Sequence, residues 1–259
     1  MLGTSNAFGY PILSVTVFLP LLGAAVAALW PARSRRGTMA VGLLTTLLVF
    51  ALSAALLVGY DPHWLAGGRA AFQFADPPSA PAEWLPGGVT YQVGVDGISV
   101  ALLCLTALLS VLAMAFSWSS VREREREYVV LMLVLETGLL GVFAALDLFL
   151  FYVFWEVVLI PMTLLIALWG GAGRLYASTK FLLYTMAGSA LMLVALIALR
   201  HELGADSFAL VELLSRPPLA HSAQLALFAA FALAFAVKVP LVPFHTWLPD
   251  AHVEAPTAA

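Results

Sequence analysis

The sequence has 259 residues, of which 62% are hydrophobic and only 10% are charged, and its mean hydropathy is +0.97. A soluble domain carries about 25% charged residues and could not bury this much apolar surface, so the composition excludes a water-soluble globule. The net charge of −3 does not indicate a nucleic-acid partner, and a single cysteine, Cys104, excludes a disulfide framework or a thiolate metal site. The chain is therefore predicted to be an all-α, polytopic membrane protein whose solvent is the lipid bilayer.

Seven segments approach or exceed the roughly 20 apolar residues that a helix needs to cross the hydrocarbon core. In chain order they are residues 11–30, 38–59, 98–118, 128–146, 148–170, 180–199 and 223–244. An eighth span could begin after Pro256. Residues 1–10 contain no basic segment of the kind that opens a signal peptide, which predicts that the first span is retained.

The boundary between the fourth and fifth spans is set by Asp147. Residues 128–169 are almost continuously apolar, and one helix of that length would measure about 63 Å, twice the thickness of the bilayer core. Asp147 is the only polar residue near the middle of this stretch. A hairpin that turns at Asp147 is therefore predicted.

Arginines are concentrated in the loops at one end of the predicted bundle, after the first, third and fifth spans. These arginines are Arg33, Arg35, Arg36, Arg122, Arg124, Arg126 and Arg174. The longer loops at the other end hold only Arg69, Arg200 and Arg216. Because basic loops stay in the cytoplasm, the N-terminus is predicted to lie outside a bacterial inner membrane. The outer loop 60–97 is rich in Pro, Gly and Trp, and we expect it to form an ordered cap.

Two acids fall inside the predicted hairpin. Glu136 lies eleven residues before Asp147 and Glu156 nine residues after it, which places both about 15 Å from the turn and near the bilayer midplane. A charge at that depth costs about 2.5–3.5 kcal/mol even on the lenient insertion scale. Such residues normally face a bundle interior or a hydrated cavity, so both acids are candidates for a proton or cation pathway.

Two lysines accompany the acids. Lys238 lies in the seventh span just before Pro240 and Pro243, and Pro240 predicts a helix break beside the lysine because proline removes a backbone donor. Transporters use such broken helices to build ion sites. Lys180 opens the predicted sixth span, where it could extend to the cytoplasmic interface or reach inward between helices.

A pair formed by Glu156 and Lys238 could hold and release a proton. Burial disfavours the charged form of each group, whereas an opposite charge nearby favours it, so opening and closing the pair would change its proton occupancy. The alternative is a permanent structural ion pair. The charges of residues 122–127, which alternate in sign, are interpreted as a solvated helix end.

The C-terminal segment carries His245, Asp250, His252 and Glu254, at spacings that match no familiar zinc pattern. Its histidines are interpreted as residues of a polar turn or a proton relay. The glycine-rich residues 170–173 lack the context and the lysine of a nucleotide loop. No metal site, no cofactor, no nucleic acid and no small-molecule substrate other than protons is predicted.

Three stretches resemble one known family. They are GVDGIS at 94–99, FWEVVLIPM at 154–162 with ALWG at 167–170, and AVKVPLVPFHTWLPDAH at 236–252 followed by EAPTA at 254–258. Together they resemble the antiporter-like membrane subunits of respiratory complex I, NADH-quinone oxidoreductase, and the residues around Glu156 resemble the M type of that family. The likeness runs from the first span to the end of the sequence.

The resemblance implies specific roles. Glu156 and the lysine on the broken seventh helix, Lys238, would form the family's charge pair. Glu136 would be the acid of the fourth helix, Lys180 the lysine at the start of the sixth, and His245 and His252 would belong to the segment after the break. NADH oxidation and quinone reduction would occur in other subunits and drive proton translocation here, with other membrane subunits as partners.

The sequence departs from the family pattern in length. Family members have about fourteen helices that include two inverted repeats of five, whereas this sequence stops where the eighth helix would begin. Residues 1–127 are interpreted as an N-terminal three-helix segment and residues 128–259 as the start of the first repeat, so that a second half or a partner chain would be needed. The alternatives are a subunit of a multisubunit cation/proton antiporter or a membrane-bound hydrogenase, and a structural subunit with static charges.

Overall fold

The computed structural model describes residues 11–31, 34–63, 72–77 and 81–258. Seven helices in these ranges are long and apolar enough to cross a membrane: α1 (Ile12–Leu29), α2 (Arg35–Gly59), α3 (Gly97–Ser120), α4 (Glu125–Ala144), α5 (Leu148–Trp169), α6 (Arg174–Leu203) and α8 (His221–Lys238). The seven predicted spans are confirmed. Residues 1–10, from which a retained first span was predicted, lie outside the described residues.

The main difference in the spans concerns α6, which begins six residues earlier than predicted. The helix begins at Arg174, before its apolar part, because backbone hydrogen bonds can extend a helix past the apolar residues that cross the membrane. Lys180 therefore lies inside α6 rather than at its start. Gly204, at a φ of 57°, ends this helix in the left-handed conformation that glycine adopts readily.

Two short helices flank α8. α7 (Leu210–Ser215) lies between α6 and α8, and α9 (Trp247–Glu254) follows the break after α8. Neither was predicted, because each is too short to give a membrane-span pattern. Of the residues where an eighth span was expected to begin, residues 257 and 258 form a turn.

The outer loop contains two small antiparallel sheets. β1 (Gln73–Asp76) pairs with β4 (Val93–Val95), and β2 (Ala82–Leu85) pairs with β3 (Val89–Tyr91). The cap is thus ordered in its described part, although it contains strands in a chain that was predicted to be all-α. The Ser14 and Tyr91 hydroxyl groups, 2.5 Å apart, join α1 to this cap.

Asp147 forms the turn between α4 and α5, as predicted. Its Oδ1 accepts hydrogen bonds from the backbone N–H groups of Phe149 (2.8 Å) and Leu150 (3.0 Å), which caps the N-terminus of α5. Its Oδ2 accepts from the N–H and the hydroxyl of Thr90, at 3.0 and 2.6 Å. One buried carboxylate therefore ties the hairpin to the outer cap.

The core lies around α4, which is the most buried of the described spans. α4 packs along α1 on one side and α5 on the other, while α6 joins α5 to α8. Because α1 and α4 share one core, the packing crosses the predicted division at residue 127. That division stays a prediction.

Candidate functional site

Close packing of α4 and α5 holds in one hairpin the two acids that are predicted to lie near the bilayer midplane. Gly141 leaves room for the Phe154 ring, since a Cβ at Gly141 would lie 2.2 Å from two of its carbon atoms, and Gly138 faces Val158 in the same way. Small residues that permit close approach are typical of helix contacts in membranes. The hairpin therefore holds Glu136 and Glu156 at fixed positions on neighbouring helices.

Glu136 points into the interior and is only 1% exposed. Neither of its carboxylate oxygens has a hydrogen-bond partner among the described residues. The Ser110 hydroxyl on α3 lies near enough to interact, but without the geometry of a hydrogen bond. Burying an unpaired polar group costs free energy, so a purely structural role does not explain Glu136.

Glu156 and Lys238 are brought together across the contact between α5 and α8. Both side chains are half-buried, and the charge of Glu156 acts on Lys238 without a direct ion pair between them. The ammonium of Lys238 instead lies 5.1 Å from the centre of the Trp155 ring, in a cation–π contact. Lys238 thus contacts Trp155 and is affected by the charge of the next residue of α5, Glu156.

The surroundings of this pair are aromatic and weakly polar. The Trp155 ring makes an edge contact with Phe235 on α8, with 5.8 Å between ring centres. Tyr152 lies one turn before Glu156 on α5 and interacts with it. Tyr152 and Trp155 are site residues that the sequence did not reveal, because aromatic residues in a membrane span are usually packing residues.

The helix break beside Lys238 is present. α8 ends at Lys238, two residues before Pro240, and residues 239–246 are not part of an α-helix. Two of the groups freed at the break find partners: the Leu241 N–H donates to the Ala236 carbonyl, and the indole N–H of Trp247 donates to the Val237 carbonyl, each at 2.8 Å. α9 is thereby attached to the end of α8.

Lys180 makes an ion pair with Asp250 of α9, with 2.6 Å between Nζ and Oδ2. Its ammonium also lies 5.6 Å from the centre of the Tyr176 ring. The lysine therefore neither extends freely to the interface nor joins Glu156 and Lys238. Asp250 was recognised only as part of a polar segment, because its partner lies 70 residues away along the chain.

The remaining polar residues of the C-terminal segment have different surroundings. Nδ1 of His245 is buried without a hydrogen-bond partner among the described residues, whereas His252 is exposed on α9. The Glu254 carboxylate accepts a hydrogen bond of 2.8 Å from the Gly173 N–H, and the glycines of 170–173 leave room for it. Within the described ranges, no group of three or more His, Cys, Asp or Glu residues could hold a metal ion.

A family model described as NADH:quinone oxidoreductase/Mrp antiporter, transmembrane, matches residues 145–259, which include the Glu156–Lys238 pair and the break. The sequence is also 43% identical to NADH-quinone oxidoreductase subunit M of Rhodobacter capsulatus, over 95% of this chain and 49% of the relative. The chain is thus similar to members of this family over almost its whole length. Chain 4 of the NADH-ubiquinone oxidoreductase of Prototheca wickerhamii is 37% identical, over 95% of this chain and 48% of the relative.

Solved structures also have folds similar to that of this chain. A chain of respiratory complex I from Thermus thermophilus superposes with a TM-score of 0.79 at 36% identity, covering 94% of this chain and 47% of that one. A chain of an archaeal membrane-bound sulfane sulfur reductase has the same fold, with a TM-score of 0.77 at 21% identity, over 96% of this chain and 49% of its own length. The chain spans about half the length of the curated relatives it matches. Its fold is that of one part of an antiporter-like membrane subunit.

Proposed function

We propose that this chain is part of a proton-translocating membrane subunit of an NADH-quinone oxidoreductase, and that Glu156 and Lys238 carry the proton step. The observation that carries the proposal is the approach of an acid on α5 and a lysine at the broken end of α8, without a direct ion pair, inside a membrane bundle. Quinone reduction would occur in other subunits, so that this chain needs no redox cofactor and binds no small-molecule substrate other than protons.

The geometry supports a pair that opens and closes. In the observed arrangement the ammonium of Lys238 contacts the Trp155 ring, which is a weaker partner than a carboxylate. Moving the ammonium onto Glu156 would stabilise both charges, and moving it back would favour uptake of a proton by the acid and loss of one by the lysine. The Lys238 side chain, at the end of α8, would make this movement without a shift of the helix.

Other residues are proposed as parts of the same pathway. Glu136, without a hydrogen-bond partner among the described residues, would exchange protons within the bundle. Nδ1 of His245 is available beside the break, and His252 is exposed at the same end as Lys180 and Asp250. We propose a relay that runs from His252, Lys180 and Asp250, past His245, to the Glu156–Lys238 pair.

The host membrane and the partners also remain proposals. The arginine-rich loops favour an orientation with the N-terminus outside a bacterial cytoplasmic membrane. Since the chain spans about half of its relatives' length, a second half and other membrane subunits would complete the translocation path. This proposal is supported by the T. thermophilus match, whose chain is part of a multisubunit respiratory complex.

The decisive experiment is Glu156→Gln in the full-length protein within its complex. We expect NADH-driven proton pumping to fall at least about tenfold, equivalent to about 1.4 kcal/mol, while the complex assembles normally. Pumping is measured as acidification of inverted vesicles, and assembly by native electrophoresis. The matched control is Glu202→Gln, an exposed acid at the end of α6, which should pump as the wild type does. Normal pumping by Glu156→Gln would show that the charges are static.

A cation/proton antiporter subunit is a second candidate, since the description of the matching family names Mrp antiporters as well as quinone oxidoreductases. Genes for flavin and iron–sulfur subunits beside this gene would favour the oxidoreductase. Proton movement that depends on sodium, and that continues without NADH, would favour the antiporter. A membrane-bound hydrogenase subunit would be indicated by neighbouring hydrogenase genes.

A further inference from the structure

A groove opens at the end of the bundle where α1 and α5 end and α4 begins. Its volume is about 460 Å³, and none of its lining residues belongs to the Glu156–Lys238 site. The lining residues are Ala28, Arg124, Arg126, Glu127, Val130, Leu131, Leu164 and Leu168, and we call this surface the arginine groove. The groove lies between three membrane-spanning helices, so its two ends meet different parts of the bilayer.

The mouth of the arginine groove carries excess positive charge. Arg126 is half-buried and has no hydrogen bond or ion pair with another described residue. Arg124 is exposed and makes only a long contact of 3.8 Å with Glu127, the one acid of the lining. Two guanidinium groups thus face one carboxylate, and the N-terminus of α4 adds a partial positive charge. A ligand with a negative group complements this mouth.

The floor of the groove is apolar. Leu131 lies about 9 Å along α4 from its first residue, and Leu164 lies about 7 Å from the end of α5. These leucines are therefore at the depth of lipid chains, whereas the arginines are at the level of headgroups. A free phosphate would satisfy the mouth alone and leave the floor uncovered. An amphiphile with an anionic headgroup satisfies both.

We propose that the arginine groove binds one anionic phospholipid. Its phosphate would accept hydrogen bonds from Arg126 and Arg124, and one acyl chain would lie between Leu131 and Leu164. Basic pockets between membrane helices on the cytoplasmic side are typical sites for anionic lipids. The site would fix the relative positions of α1, α4 and α5 from the membrane side. The proposal depends on the bundle, not on proton translocation.

The test measures lipid retention by the intact protein with the subunits that accompany it. The complex is stripped with detergent, equilibrated with vesicles of dioleoyl-phosphatidylglycerol or dioleoyl-phosphatidylcholine, and washed, and the bound lipid is counted by mass spectrometry. The wild type should retain phosphatidylglycerol, and Arg126→Gln should bind it about fivefold more weakly, which corresponds to about 1 kcal/mol for one arginine near an anionic lipid. Phosphatidylcholine should not be retained at this site.

Two further variants separate the groove from charge and folding effects. Arg36→Gln removes an exposed arginine from the same end of the bundle and should retain lipid as the wild type does. Leu164→Phe keeps both arginines but fills the floor, and it should lose the lipid. Equal retention of phosphatidylglycerol by the wild type and Arg126→Gln would overturn the proposal. Equal retention of phosphatidylcholine, or a cross-link from Leu131→Cys to a neighbouring subunit, would overturn it too.

Discussion

Asp147 shows how much a single buried carboxylate can organise in this protein. It is fully buried, and one carboxylate oxygen caps α5 while the other binds Thr90 of the outer cap. Both oxygens of this carboxylate are therefore used for structure. Glu136 is almost as buried, but its carboxylate has no hydrogen-bond partner among the described residues. Two acids of similar burial therefore differ in their surroundings.

Asp147→Ala should lower the free energy of unfolding by about 3 kcal/mol, since it removes a helix cap and leaves two donors of Thr90 unpaired. Asp96→Ala is the control, because Asp96 caps α3 through Ile98 and Ser99 only, and it should cost about 1 kcal/mol. Thermal unfolding in detergent measures both variants. Equal losses would contradict the link between the hairpin and the cap.

Glu212, on the short helix α7 between α6 and α8, gives a pH dependence. Burial by itself raises the pKa of Glu212, but hydrogen bonds from Arg216, Ser207 and the Asp206 N–H, together with the charge of Arg216, outweigh burial and lower it from 4.5 to about 2. A carboxyl group whose folded-state pKa is depressed stabilises the fold above its unfolded pKa and loses that contribution as the pH falls through the folded value.

We therefore expect residues 205–216 to lose protection from hydrogen exchange between pH 4.5 and about 2, after correction for intrinsic exchange rates. In Glu212→Gln, protection in this loop should be weaker at neutral pH and should not change over that range. Glu202→Gln should behave as the wild type does. If Glu212→Gln lost protection over the same pH range as the wild type, another titrating group would be responsible.

At the scale of elements, close contact between α4 and α5 fixes the hairpin that holds Glu136 and Glu156. The contact depends on residues that lack side chains, since Gly141 receives the Phe154 ring. α9 combines apolar packing of Trp247 and Ala251 with polar contacts. The polar contacts join Trp247 to Val237, Asp250 to Lys180 and Glu254 to Gly173. The apolar contact is buried, whereas two of the polar contacts lie near the surface and contribute little free energy each.

Gly141→Ala should destabilise the protein by about 1–3 kcal/mol, because the new Cβ overlaps the Phe154 ring and the hairpin must open. Adding Phe154→Leu should recover part of this loss by vacating the space. Gly97→Ala, whose Cβ would lie 3.3 Å from Tyr60, should cost less. Thermal unfolding of the three variants provides the test, and absence of rescue by Phe154→Leu would contradict the packing explanation.

For the whole molecule, the proposed function makes orientation in the membrane important, because it would determine which end of the bundle takes up protons. Cysteines introduced as Arg36→Cys and Glu202→Cys, in a Cys104→Ser background, should report opposite sides. A membrane-impermeant maleimide should label Glu202→Cys in intact cells and Arg36→Cys only after permeabilisation, because the arginine-rich loops stay in the cytoplasm. The reverse labelling pattern would show that the predicted orientation is wrong.

The similarity to known proteins extends over almost the whole chain, but different parts of the chain rest on different matches. The pair and the break lie in the region that matches the family model, whereas α1 to α3 are supported by the longer similarity to curated relatives. Since those relatives are about twice as long, we expect the proposed translocation to need more than this chain. The Glu156→Gln experiment must therefore be made in the full-length protein.

The sequence by itself determined the features that depend on neighbouring residues. The length of each apolar run predicts seven spans, Asp147 predicts the hairpin, and the covalent structure of Pro240 predicts the break after Lys238. The equal depth of Glu136 and Glu156 follows from the regular rise of an α-helix. These predictions need no knowledge of which helices touch.

Only the tertiary structure decided which charged groups meet. It brings Glu156 near Lys238, pairs Lys180 with Asp250 and leaves Arg126 without a partner among the described residues. The spans are apolar on almost every face, so hydropathy does not distinguish the side that packs against protein from the side that faces lipid. Pairing across helices therefore depends on shape, through residues such as Gly141, which no local pattern reveals.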